Sequence, residues 1–296
     1  MNRLILTTLG LLLASTALAE DVDRTIDAHS GARVSVSIVE GSLDIVGWDR
    51  NEVQVRGTIG DDVEEFVFER DGKDILIKVK VPSRNSGRKD YSANLDIRVP
   101  AGSSLDVGTV SADIEVEGVT SEQELQSVSG DVSTEAFAAD IDAETVSGDV
   151  EIEAHNDRAS GEWELSTVSG DIVAIGLSGE LEANVVSGDI RVIGGGFSRA
   201  RIETVSGNLD FSAALAAGGK LDMESVSGNI DLEFEGEVSA RFDVESFSGR
   251  IKNCFGPKAE RTSKYAPGVE LSFSEGAGDG RVSLSTLNGN IEICKR

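Results

Sequence analysis

Hydrophobic and polar positions alternate along most of this chain, and the alternation changes phase at regular intervals. From Leu221 to Ser225 the apolar or small residues take odd positions and the acids even ones. From Val226 to Phe234 the apolar set, Val226, Ile230, Leu232 and Phe234, has moved to even positions. Strand side chains point alternately to opposite faces, so a change of phase predicts a corner, here between Ser225 and Val226. The same slip recurs at Thr145/Val146, Thr167/Val168, Val185/Val186, Thr204/Val205 and Thr286/Leu287. Each unit is expected to be two short strands meeting at a bend, then a return loop. Its Val, Ile, Leu and Phe side chains are expected to stack inside, turn upon turn. No segment shows helical periodicity.

The slips share one phrase, with small variations: Ser/Thr, an apolar residue, Ser, Gly, then Asp or Asn. Its glycines are Gly130, Gly148, Gly170, Gly188, Gly207, Gly228, Gly249 and Gly289, and a degenerate first copy places Ala112 before Asp113. Recurrence at roughly 20 residues marks a solenoid, in which each turn buries its apolar face on its neighbours. The expected fold is all-β, a parallel β-helix (β-solenoid) of roughly 20-residue turns. Glycine suits a bend where backbone crowds inward or needs an unusual dihedral angle, and Asp or Asn suits a turn's free N–H groups. The step from Gly249 to Gly289 is twice the usual length, which predicts an insertion near 255–280.

Residues 20–100 also read as β, with strands at 34–39, 42–46, 52–59, 65–69, 74–81 and 94–99. They are expected to form an N-terminal section capping the solenoid's open end, because a bare sheet end invites aggregation. The repeats proper then occupy 101–296. Ser83 to Lys89 is a polar stretch between strands. Residues 1–19 read as a signal peptide: a short basic start, an apolar run and the cleavage-type Ala17-Leu18-Ala19. An exported protein, periplasmic or at the cell surface, is expected, with no membrane span after cleavage.

The formal charge of −26 repels nucleic acid and anionic head groups, so neither is an expected partner. The two cysteines, Cys254 and Cys294, each lie five residues after a repeat glycine. On neighbouring turns they would stand about 4.8 Å apart, within reach of a disulfide, and that bond is expected. A further turn threaded between them would put them about 10 Å apart, beyond bonding.

The repeated T-V-S-G-D-I/V phrase, Gly41-Ser-Leu-Asp-Ile-Val-Gly-Trp48-Asp-Arg-Asn-Glu-Val53 and Val99-Pro100 together resemble one bacterial family. It is domain of unknown function 4097, whose members carry an adhesin label and β-strand repeats. The resemblance covers nearly all of the chain beyond residue 19. It implies a parallel β-solenoid on the cell envelope and no established catalytic residues.

Candidate chemistry is sparse. Asp131, Asp149, Asp171 and Asp189 share one repeat position, continued by Asn208, Asn229 and Asn290. Stacked, these acids repel, and Ca²⁺ between rungs would relieve the repulsion through oxygen ligands. The preferred reading is that each caps its own turn and faces water, since the calcium-binding pattern G-G-x-G-x-D is absent. A second row, Asp142, Glu144, Glu164, Glu182, Glu203, Asp222, Glu224, Asp243 and Glu245, faces outward as a solvated wall or as a docking face for a basic partner. His29 and His155 are isolated, Gly194-Gly195-Gly196 lacks the Lys-Ser/Thr of a phosphate loop, and Arg191, Arg201, Arg241 and Arg250 are scattered. Trp163 reads as core and Trp48 as a packing anchor. No catalytic residue and no cofactor is expected. The function expected is a non-enzymatic envelope scaffold or adhesin meeting a surface protein or glycan. A carbohydrate-active β-helix enzyme, expected to need basic and acidic residues converging in a groove, and a calcium-binding periplasmic protein are the alternatives.

Overall fold

The computed structural model describes residues 20–82, 89–156, 159–263 and 267–296. The expected signal peptide and most of the polar stretch at 83–89 lie outside the described residues. The N-terminal strands are β1 (Glu20–Asp27), β2 (Arg33–Ser37), β3 (Glu40–Trp48), β4 (Glu52–Ile59), β5 (Glu65–Asp71), β6 (Asp74–Lys80) and β7 (Ser92–Pro100). The middle of the chain forms β8 (Ser104–Gly108), β9 (Ser111–Glu117), β10 (Gln123–Gln126), β11 (Val132–Ala136), β12 (Ile141–Thr145), β13 (Val150–Ala154), β14 (Ser160–Ser169), β15 (Ile172–Ile175) and β16 (Ser178–Ser187). Two long bent strands follow, β17 (Ile190–Ser206) and β18 (Leu209–Ser227), then β19 (Ile230–Phe234), β20 (Ala240–Ser246), β21 (Ile251–Asn253), β22 (Glu260–Arg261), β23 (Val269–Glu275), β24 (Gly280–Asn288) and β25 (Ile291–Lys295). There is no helix among the described residues, so none is long and apolar enough to cross a membrane.

The strands stack as two parallel ladders that meet at the repeat corner. One runs β6, β2, β8, β10, β12, β14, β16, then the second halves of β17 and β18, then β24 and β20. The other runs β7, β3, β9, β11, β13, β15, then the first halves of β17 and β18, then β19, β25 and β21. The architecture is solenoid-like, and its apolar core lies between the ladders: Trp163, Phe197, Phe211 and Phe234 are fully buried there. Antiparallel strands cover both ends, β5 on β6 and β4 with β1 on β7, then β23 and β22 on β20. At the C-terminal end Phe242 stacks on Phe273 at 4.4 Å and meets Phe234 edge-on at 5.9 Å, so aromatic rings close the core.

The stacking order departs from chain order at both ends. The β2–β3 rung sits between β6–β7 and β8–β9, and the β24–β25 rung sits between β18–β19 and β20–β21. Residues 20–100 thus supply two rungs as well as covering strands. The expected insertion holds β22 and β23. Because β25 lies beside β21, Cys254 and Cys294 face each other across one ladder step, Cα to Cα 4.9 Å, and are disulfide-bonded.

The corner itself is displaced from its expected place. Leu221, Met223 and Ser225 point inward and Val226 outward, so the alternation runs unbroken to Val226, lapses across the exposed Ser227, then Gly228 and Asn229, and resumes with Ile230 inside. The apolar residue of the phrase is therefore exposed in every copy, where the sequence pattern placed it in the core.

Candidate functional site

Two hydrogen-bonding rows and one row of closely nested glycines shape the corner that turns its valine outward. The Ser/Thr before the valine is buried, and its hydroxyl donates to the glycine carbonyl of the adjacent rung: Thr145 to Gly130 at 3.1 Å, Thr167 to Gly148 at 3.0 Å, Thr286 to Gly228 at 3.1 Å, Ser246 to Gly289 at 2.8 Å. With that polar group satisfied inside, the next residue along the strand must face out. The repeat glycines then pass backbone against backbone. A Cβ on Gly148, Gly170, Gly188, Gly207, Gly228, Gly249 or Gly289 would overlap the carbonyl oxygen of the glycine on the neighbouring rung. On Gly130 it would overlap that of Ala112. Crowding between rungs is what all eight positions share.

The aspartate row performs a related task. The Oδ1 of Asp113, Asp131, Asp149 and Asp171 accepts the backbone N–H of the equivalent residue on the next rung, at 2.8–3.0 Å. Asp189, Asn208 and Asn229 continue it to Asn290, and Asn290 accepts from Arg250 N. The expectation that each acid caps its own turn is thus amended: each caps its neighbour's. One oxygen of every carboxylate is committed to the backbone, which weakens the case for calcium between rungs.

The consequence of the corner geometry is a ladder of exposed apolar side chains on successive rungs: Val110, Val128, Val146, Val168, Val186, Val205, Val226, Leu287 and Phe247, in spatial order. Val205 is 49 % exposed and Phe247 52 %. From Val168 to Phe247 the ladder floors a groove of about 730 Å³. Glu203, Glu224 and Glu245 form one rim, and Thr262, Gly268 and Val269 of the insertion wall one end. No lysine or arginine lines it among the described residues. In its floor, the buried hydroxyl of Ser225 has no hydrogen-bond partner, unlike its threonine counterparts. Sequence reasoning missed this groove, although a signal was present. The position is apolar in every copy, while its neighbours are polar on both sides in every copy but one, where Val185 precedes Val186, and a core position would not need polar neighbours on both sides.

The outward acidic row stands in register on the first ladder, Glu124, Asp142, Glu164 and Glu182 on successive strands. Partial burial, then the charges of Glu144, Glu164 and Glu124, push the Asp142 carboxyl up to about 6. One Asp142 oxygen is enclosed without a hydrogen-bond partner. These acids, with Glu122, Asp140, Glu162 and Glu180 and with Arg199 and Arg201 at one side, surround a hollow of about 370 Å³. Trp163 closes its base, buried, with its indole N–H donated to Ser178 O at 2.8 Å. Arg201 binds Glu203, and Arg191 lies 3.6 Å from Asp210. His155 pairs with Glu135 and stacks on Phe137 at 4.5 Å, a local contact away from both hollows. Trp48 donates its indole N–H to Glu52 O and lies under Arg50 and Arg98.

Fold and groove together define a solenoid-like all-β protein that offers a surface along its flank. The chain belongs to the Toastrack DUF4097 family, whose model matches residues 19–192 and 177–294. Among solved structures it is similar to a "putative adhesin" from Bacteroides fragilis, at 11 % identity and a TM-score of 0.44, covering 94 % of this chain and 97 % of that one. A "putative lipid binding protein" from Parabacteroides distasonis shows 15 % identity and a TM-score of 0.39, over 93 % and 96 % of the two chains. A "putative adhesin" from the same organism shows 10 % identity and a TM-score of 0.39, over 94 % and 98 %. At these values nothing about ligand or partner passes from them to this chain. No curated protein matches it.

Proposed function

We propose that this chain is an exported, non-enzymatic protein of the cell envelope that acts as an adhesin-like interaction scaffold. Its contact face is the apolar ladder, which meets a protein or glycan of an envelope or surface. The observation that carries the reading is the alignment of nine exposed apolar side chains, one per rung. Scattered surface valines need no explanation, but a continuous apolar strip rimmed by polar groups marks an interaction surface. The rows of Thr–Gly and Asp–N–H bonds tie neighbouring rungs together, so little ordering entropy opposes contact. In this reading residues 1–19 direct export, and the rungs form a parallel β-helix of roughly 20-residue turns whose ends are capped by the antiparallel strands. The test is retention of bacterial cells on immobilised protein from Glu20 onward. A Val186→Asn/Val205→Asn/Val226→Asn variant should lose at least tenfold in retention with its thermal midpoint unchanged. Retention equal to that of the parent chain refutes the contact face.

A second reading, a carbohydrate-active enzyme, draws on the hollow around Asp142, where an acid raised to about 6 stands among other carboxylates with Arg199 and Arg201 alongside. A proton donor beside ionised acids suits glycosidic cleavage. Release of reducing ends from envelope glycans, abolished by Asp142→Asn, would establish it. No release by the parent chain removes it.

A further inference from the structure

Resting on that contact-face reading, we infer that the groove from Val168 to Phe247 receives an amphipathic α-helix of another polypeptide, with lysines or arginines flanking its apolar face. Three features of the groove select this occupant.

The first is the state of the backbone in the floor. The groove runs across the strands, and the corner amides and carbonyls beneath it are already paired between rungs: Ser169 N to Val146 O at 2.9 Å, Gly188 N to Ser206 O at 3.0 Å, Gly207 N to Ser227 O at 3.0 Å. An extended segment laid there would leave its own N–H and C=O groups without partners. A helix satisfies its backbone internally and needs only side-chain contact.

The second is spacing. Successive ladder side chains stand about 4.8 Å apart, the separation of neighbouring strands. Apolar residues at i, i+3, i+4 and i+7 of a helix advance about 5.4 Å per turn, close to one per rung. Six rungs, Val168 to Phe247, span about 24 Å, the length of a helix of about 16 residues. The slip of about 0.6 Å per rung accumulates to about 3 Å over the five steps, less than one rung.

The third is charge. Glu203, already paired with Arg201, and Glu224 and Glu245 line the rim, with no basic residue among the described lining, so Glu224 and Glu245 carry the charge that a partner would meet. A second copy of this chain shares the ladder's pitch but would bring these acid rows against their like, on a molecule of formal charge −26. Anionic lipid surfaces meet the same repulsion. Phe247 is the one aromatic ring exposed on the ladder, too little for a row of sugar platforms. A helix with cationic flanks matches both floor and rim.

The test uses the chain from Glu20 onward and a fluorescent 18-residue peptide, leucines at i, i+3, i+4 and i+7 and lysines flanking them, followed by anisotropy. Two further peptides replace every lysine by glutamate or scramble the order. The lysine helix is expected to bind at least tenfold more tightly than either. Val205→Asn/Val226→Asn should weaken it at least tenfold. Glu224→Gln/Glu245→Gln should weaken it several-fold and flatten its salt dependence. Both variants alter exposed side chains, and unchanged melting by circular dichroism shows that they fold. Equal binding of the scrambled peptide, or indifference to the asparagine variant, would mean general attraction to an acidic surface and overturn the proposal. Equal binding of the glutamate helix, ladder-dependent capture of neutral phosphatidylcholine vesicles, or a ladder-dependent dimer in sedimentation would overturn it too. If cells are retained by the parent chain and released by the asparagine substitutions, yet the lysine helix does not bind, the contact face stands and the helical occupant falls.

Discussion

Placing a single methyl group on Gly188 tests how tightly the rungs are nested. In Gly188→Ala the new Cβ overlaps the carbonyl oxygen of Gly170 and lies 2.7 Å from its carbon and 3.0 Å from Asp171 Oδ1. All but one of these atoms are backbone, so no side-chain rotation relieves the overlap and the rungs must separate. Separation stretches the bonds bridging this corner: Gly170 N to Ser187 O at 3.3 Å and Asp189 N to Asp171 Oδ1 at 2.8 Å. Overpacking of this kind costs about 1–3 kcal/mol, and each weakened hydrogen bond about 0.5–1.5 kcal/mol. Against this, Gly→Ala restricts the unfolded chain, which stabilises by about 0.4–1 kcal/mol. The expected net loss is about 3 kcal/mol, a fall of roughly 6–10 °C in the thermal midpoint. Gly108→Ala is the matched control, because a Cβ there meets nothing within 4 Å. It should be neutral or slightly stabilising. Midpoints from circular dichroism and from urea unfolding should agree in rank, whether or not the stack unfolds in one step. A loss below 1 kcal/mol in Gly188→Ala, or equal losses in the two variants, would refute backbone nesting as the reason for the glycine row.

Further outcomes follow from other parts of the stack. The disulfide ties the outermost rung to the rung threaded beneath it across 40 residues, so Cys254→Ser/Cys294→Ser should lose about 4 kcal/mol, with faster amide exchange first in β20, β21 and β25. Uniform loosening along the whole chain would contradict a local staple. Because Asp142 is raised in the folded chain, its protonation favours folding, and its contribution declines as pH rises from about 4 through 6. The thermal midpoint of Asp142→Asn should therefore fall less over that window than that of the parent chain, and parallel pH curves would refute the assignment. With each ladder carboxylate already accepting an N–H, millimolar Ca²⁺ should raise the midpoint no more than Mg²⁺ at equal ionic strength. A calcium-specific rise would reinstate a metal between rungs.

Much of this architecture is legible in the chain because each rung repeats the same local solution. The hydroxyl–apolar–Ser–Gly–Asx phrase marks the bend, and the two cysteines sit at equivalent places on their repeats. The direction of the valine is harder to read, since periodicity gives the phase of a strand but not where a bend resets it. Counting back from Ile230 puts Val226 inside; counting forward from Leu221 puts it outside. The buried Ser/Thr row decides, through a hydroxyl-to-carbonyl bond between rungs that no single repeat displays. Rung order at the ends is hidden for a similar reason. The chain carries no local mark of β24 entering between β18 and β20, because an apolar strand fits either neighbour. The strand at Glu20–Asp27 carries little signal in the sequence: only Val22 of it is buried, as expected for an edge that pairs on one side.

The outward ladder and its part in contact are read most directly by hydroxyl-radical footprinting, residue by residue, on the free chain and on the chain holding bacterial cells. Strong oxidation of Phe247 and Leu287 in the free chain, sparing of Phe211 and Phe234, and loss of the ladder signal on contact are expected. Phe247 and Leu287 as protected as Phe211 in the free chain would contradict the outward ladder, and ladder oxidation undiminished by contact would contradict its role as the contact face.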